Sequence, residues 1–137
     1  MKKLTIDGIE FRDLDHDGVL SPYEDHRLSA DSRAKDLLNR MTMAEKAGVM
    51  MHGTAQSIGP LGVMGVGAEY NQQANQELIS DSKINHLITR LDSTPHEFAA
   101  QNNALQQIAA NTRLGIPVTI STDPRHHFQH VTGARSR

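Results

Sequence analysis

The stretch TPHEFAAQNNALQQIAANTRLGIPVTIST, residues 94–122, decides the fold. Thr94 offers an N-cap hydroxyl. Pro95 suits the first helical position, where an amide hydrogen would lack an intrahelical partner, and Glu97 completes a capping box. Phe98, Leu105, Ile108 and Ala109 then form one apolar stripe, with Gly115 as the stop. IPVTIST (116–122) follows as a strand. Working back, INHLITRL (84–91) is a second strand. AGVMMHG (47–53), behind a Thr42–Glu45 capping box opening one short helical turn, is a first, buried strand. Between these lie a glycine-rich loop, GTAQSIGPLGVMGVG (53–67), and a polar helix with little to bury, YNQQANQELIS (70–80). Strand, helix, strand, helix, strand at this spacing predicts βαβ units and a parallel sheet. Strands apolar on both faces are what a helix-covered parallel sheet requires.

The 137 residues fit one small domain and fall well short of the roughly 250 of a complete (β/α)8 barrel. Acidic and basic residues are interspersed at a formal net charge of −2, so neither a nucleic acid nor an anionic membrane is an expected partner. The absence of cysteine excludes disulfides and thiolate metal sites and leaves the compartment open. The opening MKKLTIDGIEF has no apolar h-region, and no run approaches membrane-spanning length. The expectation is a soluble chain, cytoplasmic, or periplasmic or secreted with any signal peptide removed.

Residues 1–27 form an N-terminal extension and 28–137 the α/β unit. Within the extension Ile6, Ile9 and Phe11 alternate in an extended pattern, and RDLDHDGVLSPYEDHR (12–27) follows. It fits the twelve-residue EF-hand loop over 13–24. Asp13, Asp15 and Asp17 stand at positions 1, 3 and 5, Gly18 at the turn, the Val19 carbonyl at 7, Ser21 at 9 and Glu24 at 12. Alternating carboxylates before a glycine turn bring several hard oxygens to one point, which is calcium chemistry. Calcium sensors pair two helix-loop-helix units. One loop behind an extended segment fits a structural staple between the extension and the next helix, whose apolar positions are Leu28, Ala34, Leu37, Leu38 and Met41. Ser29 or Asp31 is its N-cap.

The remaining motifs carry less. GPLGVMGVG lacks the Gly-Lys-Ser/Thr ending of a phosphate-binding loop and is a flexible loop. His126 and His130 stand four apart without the glutamate or third ligand of a zinc site. No organic cofactor is indicated. His52 after GVMM, Arg90 after HLIT and Asp123 after VTIST stand at the ends of the three expected strands, and the carboxyl ends of parallel strands form a binding rim.

DLDHDGVLSPYED, RAKDLLNRMTMAEKAGVMMHG and NNALQQIAANTRLGIPVTISTDPRH together resemble the beginning of family 3 glycoside hydrolases, the β-glucosidase and exo-β-glucanase group. The likeness covers nearly the whole chain, with RMTMAEKAG and LGIPVTIST-D-x-x-H as its most specific pieces. The resemblance implies the first units of a (β/α)8-like (TIM) barrel in a retaining, exo-acting enzyme that removes β-linked sugars, usually glucose. It implies that Asp123 hydrogen-bonds hydroxyls of the terminal sugar, with His126 three residues on and Arg90 in the pocket wall. A carboxylate suits that place because it accepts two hydroxyls through short, directional bonds.

Retaining hydrolysis needs two carboxyl groups about 5 Å apart. The family's nucleophile lies in a Ser-Asp-aromatic motif on a later strand, whereas Ser80-Asp81 here precedes Ser82 in a polar helix. No catalytic residue is therefore expected in this chain. The nucleophile and the acid/base belong to the remainder of the barrel, in another chain or segment, and the chain alone is inactive. The alternative is a non-catalytic calcium-binding or sugar-binding module, which would cleave no aryl β-glucoside in any mixture.

Overall fold

The structure of the chain, a computed structural model, describes residues 2–121, 124–125 and 127–128. The extended N-terminal segment closes on itself as an antiparallel hairpin of β1 (Lys2–Ile6) and β2 (Ile9–Asp13), paired from Lys2↔Asp13 to Ile6↔Ile9. Its connection is Asp7-Gly8, both at positive φ, which matches the right-handed twist of two strands joined by two residues. Phe11 is buried beneath the His26 ring and the Arg27 guanidinium.

Helix α1 (Ala30–Arg40) is capped by the Ser29 hydroxyl, which accepts from the Ser32 amide. None of its residues is fully buried, so it is a surface helix. The Thr42–Glu45 capping box is present and opens α2 (Met43–Val49), two turns rather than one. The strand placed over AGVMMHG is accordingly corrected. The helix consumes Ala47 to Val49, Met50 and Met51 are 85% and 57% exposed, and β3 is only His52–Thr54. The helix won because the capping box satisfies its first amides and the following Ala-Glu-Lys-Ala has high helical propensity.

β3, β5 (His86–Ile88) and β7 (Thr119–Ser121) form a parallel sheet in that spatial order, with His52↔His86↔Thr119 at the amino ends and Thr54↔Ile88↔Ser121 at the carboxyl ends. Consecutive strands are neighbours, and helices supply the crossovers. β4 (Val66–Gly67) and β6 (Arg90–Leu91) form a second short parallel pair just past the carboxyl ends of β3 and β5. β8 (Pro124–Arg125) pairs antiparallel with β9 (His127–Phe128).

Between β4 and β5 runs α3 (Gln72–Gln76), continued by a π turn, Glu77–Asp81. This segment buries more than its polarity suggested. Tyr70 and Ile79 join the core, and the buried Asn75 side chain bonds the Gln56 amide at 2.8 Å and the Gln56 carbonyl at 2.7 Å. An amide side chain that pairs with both groups of one residue mimics a strand neighbour, which lets a polar residue be buried without penalty.

The expected capping box of α4 (Pro95–Ala110) is present, and its stripe packs as predicted: Leu105 and Ala109 are fully buried and Phe98 and Ile108 partly. Its end is not Gly115. The helix stops at Ala110, and Gly115 sits beyond in a left-handed turn, where a Cβ would lie 2.5 Å from the Leu14 carbonyl oxygen. The core joins Leu87 with Ala55, Tyr70, Ile79, Leu91, Leu105, Ala109 and Val118.

The strands are not apolar on both faces. Registered residues of parallel strands share a face, so Gly53, Leu87 and Ile120 face the helical layer. The opposite positions, His52, Thr54, His86, Ile88, Thr119 and Ser121, are half-buried or exposed.

Candidate functional site

Beyond the carboxyl-end row of Thr54, Ile88 and Ser121 the chain forms a rim from residues 55–67 and 90–91. The glycine run here is not a slack loop. The Ser57 amide donates to the Gly62 carbonyl at 2.9 Å, the Ser57 hydroxyl to the Gly65 carbonyl at 3.0 Å, and the Gln56 side-chain amide to the Val63 carbonyl at 3.2 Å. Gly62 has no room for a side chain, since a Cβ would stand 1.8 Å from the Ser57 carbonyl oxygen. The knot leaves Leu61, Val63 and Met64 exposed.

Arg90 begins β6, two residues past the end of β5, and its Nη1 donates to the Met64 carbonyl at 3.1 Å. That places it just past the carboxyl end of β5. His52 is corrected, because it opens β3 instead of following it. Its backbone stands in the amino-end row, while its ring crosses the open face of the sheet to bring Nε2 within 2.8 Å of the Ser121 hydroxyl in the carboxyl-end row. Asp123, His126 and His130 lie outside the described residues.

Beneath the rim is a network that the sequence did not single out. The Tyr70 hydroxyl is hydrogen-bonded to Thr89 Oγ1 at 2.7 Å and to Asn102 Oδ1 at 3.0 Å, and the Tyr70 amide donates to Gln101 Oε1. Burial pushes the Tyr70 phenol up from its ordinary value. The network ties the rim loop, the end of β5 and α4 into one unit. Its sequence signal is a tyrosine just past the glycine run and the Gln101-Asn102 pair on α4.

The second cluster is the acidic loop. One carboxylate oxygen from each of Asp13, Asp15 and Asp17 lies within 4.8 Å of the others. Glu24 is buried but stands apart from that group. Its Oε1 accepts from the Leu14 amide at 2.5 Å and its Oε2 from the Ser21 amide at 2.9 Å, which latches the two ends of the loop. Val19 is exposed and Ser21 buried. Burial, followed by the charges of Glu24 and Asp15, pushes the Tyr23 phenol upward.

A third polar site braces the fold. Glu45 is nearly buried, and Arg113 Nε donates to its Oε1 at 3.1 Å while Arg113 Nη2 reaches its Oε2 and the Arg40 carbonyl. The Arg113 guanidinium, outweighing burial, holds the Glu45 carboxyl at about 2. A folded-state value below the ordinary one means that the pair's stabilisation is fully present above about pH 4.5 and is lost as pH falls toward 2. Arg113→Gln is expected to cost about 1–2 kcal/mol at pH 7, since one partner is half-exposed. Melting curves of both proteins from pH 7 to pH 2.5 check this, because the difference between them must shrink through that acid window.

No known family profile matches the chain. Among curated proteins it is 53% identical over 131 residues to the periplasmic beta-glucosidase/beta-xylosidase of Dickeya chrysanthemi, an alignment that takes in 95% of this chain and 20% of that protein. It is 42% identical over 113 residues to a probable beta-glucosidase C of Aspergillus oryzae, and 38% over 116 residues to beta-glucosidase C of Emericella nidulans. These cover 81% and 84% of this chain and 17% and 18% of the fungal proteins. The chain thus spans about a fifth of the length of the curated relatives it matches.

Proposed function

By sequence the chain belongs with the β-glucosidase-type glycoside hydrolases, and from that relation we propose that it is the opening part of a family 3 (β/α)8-like barrel that hydrolyses terminal β-linked glucosides or xylosides with retention. The carrying observation is the 53% identity across nearly the whole chain. The fold supports the reading: three parallel strands in sequential order, helices on one face, and a polar, half-exposed opposite face of the kind that further strands would enclose. Arg90 and Asp123 are the rim groups that hold the non-reducing sugar, with His126 beside them. The catalytic nucleophile and acid/base lie outside the chain, since no aspartate or glutamate here occupies the family's nucleophile motif.

His52, which opens β3 and reaches the Ser121 hydroxyl across the open face of the sheet, lines the pocket more deeply than these rim groups. Residues 1–27 are an accessory extension to the barrel segment, 28–137.

The test is a graft. The matched region of the Dickeya chrysanthemi relative is replaced by this chain, and release of 4-nitrophenol from 4-nitrophenyl β-glucoside and β-xyloside is followed. The expected outcome is hydrolysis by the folded graft and none by this chain alone. A graft that folds, as judged by cooperative melting, and cleaves neither substrate overturns the proposal.

A further inference from the structure

We propose that the loop 13–24 binds one calcium ion, and that the ion clamps the N-terminal hairpin onto the turn that follows α4. Three acidic side chains converge there, with one oxygen each within 4.8 Å. The independent observation is Asp13. It is wholly buried and, among the described residues, its Oδ2 has no hydrogen-bond partner and its Oδ1 meets the Gly18 amide at 3.4 Å. A buried carboxylate oxygen with no donor is strongly unfavourable, and two further carboxylates beside it add repulsion. A cation among the three carboxylates removes both costs.

The donor set selects the ion. All converging atoms are carboxylate oxygens, and the one imidazole in the loop is committed elsewhere, His16 Nε2 lying 2.9 Å from the Ala110 carbonyl. Oxygen-only sites suit hard cations. A loop site of this kind, which imposes no rigid octahedron, accommodates calcium more readily than magnesium. The competing cation is Arg40, whose Nη1 stands 3.7 Å from Asp15 Oδ2. Its Nε is bonded to Asp36 at 2.8 Å, and it does not satisfy the orphaned oxygen of Asp13.

The clamp follows from what the loop touches. Asp13 is the last residue of β2, so the ion would sit at the root of the hairpin. From there His16 reaches the Ala110 carbonyl, the Leu14 carbonyl rests against Gly115, and the Tyr23 hydroxyl donates to the Leu114 carbonyl at 3.4 Å. Each of these three contacts lands between the end of α4 and the approach to β7. Binding that orders the loop therefore stabilises this junction by linkage, in proportion to the logarithm of free calcium over the dissociation constant.

The test reads binding, so it is separate from any assay of glycoside hydrolysis. The purified protein is stripped with EDTA, then titrated calorimetrically with calcium chloride and with magnesium chloride, and melted with and without 2 mM calcium. The expected result is one calcium per chain in the micromolar to millimolar range and a rise in melting temperature of several degrees. Magnesium should bind at least tenfold more weakly. Asp17→Asn, at an exposed position, should melt like the parent in EDTA and lose at least tenfold in calcium affinity. Asp13→Asn should also lose affinity, and it reports on the buried ligand if it folds. No calcium heat up to 5 mM, or equal heat in Asp17→Asn, overturns the proposal.

Discussion

Leu87→Ala is expected to lower the stability of the protein by about 3–4 kcal/mol, enough to consume a large part of the 5–15 kcal/mol that holds an ordinary domain together. Leu87 is fully buried on the middle strand of the sheet and faces the helical layer. The side chain shares a cluster with Leu105 and Ala109 of α4 and with Ala55, Ile79 and Val118. Gly53 on β3 leaves space for it, since a Cβ there would come within 3.1 Å of Leu87 Cδ2. Truncation removes three buried carbons at the place where strands and helix meet, and neighbours anchored in β-strands cannot collapse into the void. Urea denaturation of the parent, Leu87→Ala and Leu87→Met measures the effect. The alanine variant should show a markedly lower midpoint, while methionine, of similar volume, should cost less than about 1.5 kcal/mol. Equal midpoints for parent and alanine variant would mean that the sheet is not packed against α4 as described.

The helices were legible in the sequence because their signals are local. Thr42, Glu45, Thr94 and Glu97 form both capping boxes, and the stripe of α4 fell on the face that is buried. The extended N-terminal segment was equally readable. The first strand was misplaced because Val49, Met50 and Met51 form an apolar run that periodicity cannot assign. A capped helix claimed its start, and the two methionines stayed exposed. That single shift of register took His52 from the carboxyl end to the amino end. The Tyr70–Thr89–Asn102 network and the Glu45–Arg113 pair were invisible for another reason. They join residues 19 to 68 positions apart, and only the βαβ winding brings them together.

Asp123→Ala, introduced into the graft, is expected to reduce kcat/KM on 4-nitrophenyl β-glucoside by about 10²–10³-fold. In the proposed reading the carboxylate accepts two hydroxyls of the terminal sugar, each bond to a charged group contributing about 1.5–3 kcal/mol. Taken in the lower part of that range, losing both removes about 3–4 kcal/mol from the transition-state complex, and every 1.4 kcal/mol is a factor of ten. Position supports the assignment: Ser121 closes β7 in the same carboxyl-end row as Thr54 and Ile88, and Asp123 follows two residues later in the chain. Because those hydroxyls are held in ground and transition state alike, most of the loss should appear as a raised KM with a smaller fall in kcat. Asp123→Asn keeps one acceptor and surrenders the charge, so its loss should be intermediate, near tenfold. The three proteins should melt alike, since the defect is one of recognition. If Asp123→Ala retains kcat/KM within threefold of the parent graft, the aspartate is a turn residue of the Ser-Thr-Asp-Pro segment and the sugar is held by other groups.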